Sequence, residues 1–274
     1  MVSIPLMRDL SLWMDDDLQL FRKSVREFIH KEFTPRQAHW REQHRPGDEA
    51  WKAAGAAGLL LTDVPEEYGG GGGSFIHEAV VVEELAQAGV QFGSSIQDIV
   101  AHYILAYSTR QQKHNWLPRM ARGELVGAIA ITEPGAGSDM QGIQTTARRD
   151  GDQYVINGSK TFVTNGWHGS VICLAVKTDP KAAGVKGISL LVIEPKDLPG
   201  YRVGPPLAKV GMHGQDTCEL FFDDVRVPVS SLLGSAEGKG LGQLMEQLSR
   251  ERLSVAVCAV ATAERAVSIT TNYV

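Results

Sequence analysis

Apolar residues recur at helical spacing through the first part of the chain. From Asp15 onward Leu18, Phe21, Val25, Phe28 and Ile29 mark one helix face, and Asp15, Asp16 and Asp17 place negative charge where a helix N-terminus favours it. Pro35 lies just beyond the expected end. A second helix is expected over 49–57, stopped by Gly58. Ser74 caps a third, with His77 and Glu78 in its first turn and Val80, Val81, Leu85 and Ala86 behind them. A fourth follows Ser94 and Ser95 through Ile99, Val100, Tyr103, Ile104 and Tyr107, and a short one surrounds 116–120 before Gly123. A run of glycines, 69–73, interrupts the series. Its plain reading is a flexible connector, and its functional reading is a wall of a ligand pocket.

After Gly123 the period shortens. Segments 126–131, 144–149, 152–157, 160–164, 171–176, 188–193, 201–203 and 219–225 are short, rich in β-branched residues and bounded by Gly, Asn, Asp or Pro. Regular strands without intervening helices predict a small barrel or sandwich. Asn157 and Gly158 form the dipeptide of a type I′ hairpin. Near 238–240 the helical period returns: Leu241, Leu244, Met245, Leu248, Leu253, Ala256 and Val260 recur at helical intervals, interrupted by Glu251 and Arg252. The expected fold class is therefore α+β multidomain. An N-terminal all-α domain spans 1–125, a middle β-barrel or sandwich spans 126–228, and a C-terminal α-helical bundle begins over 229–274.

Composition narrows the function classes. Of 274 residues, 43% are hydrophobic and 22% charged, as in globular proteins, and the net charge of -5 with no long basic run argues against nucleic-acid binding. No uninterrupted apolar stretch approaches the length of a membrane span. Cys173, Cys218 and Cys258 are far apart and lack CxxC spacing, so they read as reduced core residues. The acidic N-terminal segment lacks a signal-peptide core, and the expected location is cytoplasmic. His102 and His114 have no second histidine or acid at ligand spacing; no metal site is expected.

The candidate chemistry gathers over 126–166. The turn 133–139 concentrates Pro134, Gly135, Gly137, Ser138 and Asp139, which leaves backbone N–H groups unpaired and admits an anion or a ring close to the main chain. It is neither a P-loop nor a Rossmann fingerprint, since no Gly-Lys-Ser/Thr, third glycine or helical continuation follows. Read alone, such a turn is an ordinary loop between strands, Phe162 is a strand core position, Lys186 an exposed loop lysine, and Glu251 with Arg252 a solvated charge pair.

TEPGAGSD over 132–139 followed by NGSKTFVTNG over 157–166 resembles the flavin-binding signatures of the acyl-CoA dehydrogenase family, in order and at family spacing. LSRERLSVAV over 248–257 resembles its long-chain branch, and the likeness runs from about residue 15 to the last residue. The resemblance implies an FAD site formed by Ile129, Ala130, Ile131, Thr132, Glu133, Pro134, Gly135, Ala136, Gly137 and Ser138, with Phe162, Val163 and Thr164 as a second flavin contact. Phe162 stands where the family often has Trp. The resemblance further implies Glu251 as α-proton base, Ser138, Ser249, Arg250 and Arg252 beside the substrate, and Lys186 near a CoA phosphate. The implied reaction is α,β-dehydrogenation of a fatty acyl-CoA thioester, with an electron-transferring flavoprotein as acceptor and a homo-oligomeric enzyme, dimer or tetramer. Further C-terminal helices that hold FAD phosphates are expected beyond residue 274. The alternatives are a catalytically silent flavin or acyl-CoA-binding scaffold and a flavin-dependent oxidase relative. Residues 205–223 resemble the link leading out of the barrel, with Asp216 and Thr217 bracing it.

Overall fold

The computed structural model describes residues 13–182 and 184–274. Helix α1 (Asp16–Phe28) opens as the acidic run predicts, the Asp15 carboxylate accepting from the Leu18 N–H at 2.8 Å. It does not stop before Pro35. The chain passes through a π-helical turn, Ile29–Phe33, and a 3-10 turn, Thr34–Arg36, into α2 (Gln37–Gln43). Pro35 has no N–H to give an α-helical carbonyl, and the change of helical register absorbs that loss.

Next come α3 (Asp48–Ala56), α4 (Phe75–Ala88), α5 (Ser94–Tyr107) and α6 (Arg110–Ala121). Capping boxes open α4 at Ser74 and His77, and α6 at Thr109 and Gln112. Phe33, Trp40, Trp51 and Phe92 knit the helices together, with Trp51 and Phe92 ring centroids 4.4 Å apart.

The glycine run is not a slack connector. Gly71 N–H donates to Leu61, Gly72 to Val64 and Gly73 to Thr62, at 2.9–3.1 Å, folding 69–73 back on the chain just before it. A Cβ at Gly70 would lie 2.1 Å from the Val64 carbonyl oxygen, so glycine serves close backbone approach here.

The β region is one curled, seven-stranded sheet. Its strands are β1 (Gly127–Ala130), β2 (Thr146–Asp150), β3 (Gln153–Thr164), β4 (Val171–Lys177), β5 (Ile188–Ile193), β6 (Tyr201–Val203) and β7 (Thr217–Pro228). The order is β1-β4-β2-β3-β7-β6, with β5 also on β4, and β1 runs parallel to β4. Ile172, Leu174 and Val176 of β4 and Leu191 and Ile193 of β5 point inside the curl; Val171, Cys173, Ala175, Ile188, Leu190 and Val192 join the helical core. Burial on both faces explains why these two strands read VICLAVK and ISLLVI, without alternation.

Asn157 and Gly158 do not make a hairpin. β3 runs straight through them, because β7 pairs with both halves, from Gln153↔Pro228 to Thr164↔Thr217. The hairpin lies earlier, where Gly151 (φ 65°) and Asp152 join β2 to β3. Two register shifts interrupt the β3–β7 ladder, and the second, between Lys160 and Val163, carries Phe162 at φ 57°.

Helix α7 (Gly240–Tyr273) docks on α4 through Gln87, whose Nε2 donates to the Ala261 carbonyl and to Glu264, both at 3.0 Å. Its expected apolar face is only partly covered: Leu244 is buried and Leu241 and Leu248 are half-buried, but Met245, Leu253, Ala256 and Val260 are exposed. Its most apolar window has mean hydropathy 1.4, enough by length and composition alone to cross a membrane, which the charge-interrupted sequence did not suggest. Cys258 on this helix is exposed, contrary to the core reading, whereas Cys173 and Cys218 are buried.

Gly70→Ala is expected to lower stability by about 1–3 kcal/mol through overpacking against Val64, read as a lower urea midpoint. An unchanged midpoint would mean that the loop has slack.

Candidate functional site

Glu251 projects from α7 toward α5, where the Tyr103 hydroxyl donates to its Oε1 at 2.8 Å. Burial pushes the Glu251 carboxyl above its usual range, and the tyrosine bond pulls the other way. Burial first, then the charge of Glu251, lifts the thiol of Cys173 in β4 to about 12. Cys173 is the register partner of Ile129 in β1. Tyr103 and Cys173 share the helical core, and α5, which carries Tyr103, packs against β1. The adjoining cavity, about 10 Å³ and lined by Glu78, Ile99, His102, Gln247, Arg250 and Ser254, has room for about one water.

Arg250, which borders the same cavity, joins a buried charge cluster. Its guanidinium bonds Asp63 Oδ2 at 2.5 Å and also Glu78, and lies 4.9 Å above the Phe75 ring. His102 Nε2 meets the other Asp63 oxygen at 3.0 Å. Burial opposes charge on Asp63, but the bonds and charges of His102 and Arg250 outweigh it and hold the carboxyl below its usual range. Burial raises Glu78 despite Arg250, and raises Asp98 well above its usual value, helped by the Glu78 and Asp63 charges.

Arg250, expected at the substrate, is thus committed to α4 and the loop before it. His102, expected to lack acidic neighbours, gains Asp63 and Glu78 through the fold. Ligand atoms of Asp63, Glu78 and His102 all lie within 4.8 Å of one another, and the Arg250 guanidinium supplies the positive charge that this cluster calls for.

The glycine turn is braced from inside. Glu133 and Ala136 exchange backbone bonds of 2.9 and 3.1 Å across Pro134 and Gly135. The Glu133 carboxylate accepts from Lys160 Nζ at 2.7 Å and from the N–H groups of Gln144 and Thr145 at 2.7 and 3.0 Å. Lys160 is fully buried, and burial pulls its pKa down to about 8 against the pairing with Glu133. Glu133 therefore holds the turn rather than facing a ligand, and the side chains of Ala130, Ala136 and Val163 are likewise buried.

What faces outward is Pro134, Gly135, Gly137 and Ser138, with Ile129, Ile131, Thr132 and Thr164 half-buried. Among the described residues, the N–H groups of Gly135, Gly137 and Ser138 make no hydrogen bond, and a Cβ added at Gly135 or Gly137 would meet nothing within 4 Å. Beside them stands Phe162, 67% exposed on its left-handed backbone, set there by the Thr161 N–H bond to the Thr132 carbonyl at 2.9 Å. Free N–H donors and an exposed aromatic face suit the phosphates and planar ring of FAD.

Ser249 and Arg252 are exposed and form no bond among the described residues; Lys186 is exposed in the 3-10 turn Gly184–Gly187. Sequence reasoning missed Trp167, half-exposed just past the Asn165-Gly166 turn, where an aromatic after that motif was a usable signal. It also missed Tyr103, Asp63, Glu78 and Lys160, which no local pattern marks.

Known proteins share the sequence and fold of this chain. Residues 15–124 match the acyl-CoA dehydrogenase N-terminal domain and residues 128–225 the acyl-CoA dehydrogenase middle domain. The mitochondrial long-chain specific acyl-CoA dehydrogenase of Sus scrofa is 43% identical over 258 residues, covering 93% of this chain and 60% of that protein. The crystal structure of acyl-CoA dehydrogenase from Geobacillus kaustophilus superposes with a TM-score of 0.93 at 46% identity, over 96% of this chain and 70% of that one. A glutaryl-CoA dehydrogenase from Mycobacterium smegmatis in complex with FADH2 gives a TM-score of 0.85 at 30% identity, over 95% and 66% of the two chains. The chain belongs to the acyl-CoA dehydrogenase family, whose members are FAD-dependent oxidoreductases acting on CH–CH bonds. It spans about 60% of the length of the long-chain relatives that it matches.

Arg250→Met leaves Asp63 and Glu78 without their cation and is expected to cost about 3–5 kcal/mol at neutral pH. Asp63, held low, contributes stability that is present above its ordinary pKa and lost as pH falls through its folded value. The difference between variant and parent should therefore shrink below about pH 4. A denaturation series across pH checks this, and a pH-independent difference would contradict it.

Proposed function

We propose that the chain carries the catalytic face of an FAD-dependent dehydrogenase acting on a long-chain fatty acyl-CoA, with Glu251 as the base. The observation that carries this reading is the half-buried Glu251 carboxyl, held by Tyr103 of α5, the helix packed on β1, whose strand runs directly into the open glycine turn beside Phe162. Bound at that turn, FAD supplies the acceptor for a hydride leaving the substrate β-carbon.

Glu251 takes the α-proton as the α,β double bond forms. Burial raises its proton affinity, which suits it to remove a weakly acidic proton, and an acyl chain that displaces water strengthens it further. Gly135, Gly137 and Ser138 hold anionic or carbonyl oxygens through their N–H groups, with the Ser138 hydroxyl also reaching the thioester. Phe162 offers its face to the flavin ring, and Thr164 lies at the end of the same strand. The reading extends to an electron-transferring flavoprotein as acceptor and to a homo-oligomer.

Two variants separate the roles. Glu251→Gln is expected to retain FAD, seen as an unchanged visible spectrum, and to slow anaerobic bleaching of the flavin by palmitoyl-CoA by about 10²–10⁴-fold. Phe162→Ala is expected to weaken FAD binding with an unchanged circular dichroism spectrum. Parallel loss of FAD and bleaching in Glu251→Gln would make that residue structural. Bound FAD that palmitoyl-CoA never bleaches in the parent chain would favour the silent scaffold. Glutaryl-CoA is the comparison substrate, because a glutaryl-CoA dehydrogenase is among the structural relatives.

A further inference from the structure

Helices α5 and α7 are joined by two tyrosine-to-glutamate rungs. Tyr103 donates to Glu251 Oε1 at 2.8 Å, and one turn later Tyr107 donates to Glu246 Oε2 at 2.7 Å, also reaching the Gln243 carbonyl at 3.2 Å. Spacing of four residues puts both phenols on one face of α5. The rungs differ in setting. Tyr103 is 1% exposed, whereas the outer rung ends on the exposed Glu246.

We infer that Tyr103 is a positioning residue for Glu251: its phenol engages Oε1 and leaves Oε2 to meet the substrate. The inference rests on the reading of Glu251 as base. Among the described residues, the Tyr103 hydroxyl is the only hydrogen-bond partner of the Glu251 carboxylate. A carboxylate has roughly four acceptor sites, so one donor orients it without saturating it. Burial, then the Glu251 charge, raises the Tyr103 phenol above its usual range, so it remains a donor and never competes for the proton.

In a setting with little water, a single fixed donor decides both where the carboxylate points and how readily it stays charged. The other titratable groups facing Glu251 are His102 of α5, Glu78 of α4, Cys173 of β4 and Arg250 of α7. Arg250 and His102 are already engaged with Asp63 and, for Arg250, Glu78, which leaves orientation of Glu251 to Tyr103.

The test is the titration of Glu251 in the full chain, read as its carboxyl band in infrared difference spectra against Glu251→Gln. Tyr103→Phe is expected to raise the midpoint by about 1–2 pH units, since it removes a hydrogen bond to a charged group. Tyr107→Phe, which cuts the outer rung, should leave it in place. Incorporation of 3-fluorotyrosine at position 103 keeps the shape and makes the phenol a stronger donor, so it should lower the midpoint even if Tyr103→Phe folds poorly. A midpoint unmoved by both changes at position 103, or moved equally by Tyr107→Phe, overturns the inference. In the FAD-loaded protein the acid limb of flavin reduction should move with the same midpoint. Failure of the base reading would look different: Glu251→Gln would still reduce flavin, whatever the titration showed.

Discussion

Two-sided burial of β4 and β5 is the constraint on which the architecture depends. Each strand sends alternate side chains into the curl of the sheet and into the helical core, so neither domain closes its core without the other. Fully buried strands cannot leave backbone groups unpaired, and β4 answers this by pairing with β1, β2 and β5. The α5–β1 contact is then sealed by Gln97, whose amide donates to the Met120 and Leu125 carbonyls and accepts from Gly127 N–H. The same arrangement runs β1 out into the glycine turn.

Around that frame the protein spends charge sparingly and behind the site. Removing an ion from water costs several kcal/mol, which only good partners offset. Lys160 and Glu133 satisfy one another with help from Ile131, Gln144 and Thr145, and so fix the back of a turn whose front stays open. Arg250 does the same for α7, tying it to Asp63 and Glu78 while the next residue, about 100° around the helix, is turned toward α5. Phe162 adopts a left-handed conformation unusual for a large side chain and ends up exposed beside the turn.

Where local pattern and local structure share a cause, the sequence alone was enough. The Asp15 cap, the change from helical to strand period after Gly123, the return of helix at Gly240 and the open turn 133–139 all rest on residues within a few positions of one another. Their physics is local: a helix dipole, a side-chain period, a turn that leaves N–H groups free.

Tertiary structure decided the rest, because the partners are distant in sequence. Tyr103 and Glu251 are 148 residues apart, and Arg250 lies 187 from Asp63 and 172 from Glu78. No local pattern distinguishes Arg250, which is consumed in an ion cluster, from Arg252, which is exposed. Asn157-Gly158 has the composition of a hairpin, yet the long β7 strand offers pairing on both sides of it, and that ladder, which takes a register shift at the dipeptide, outweighs a two-residue preference. Glu133 sits inside a flavin-like motif and still points into the interior, because Lys160 is buried behind it. Sequence thus marked which segments are candidates for the chemistry, and packing determined which side chains within them stay free.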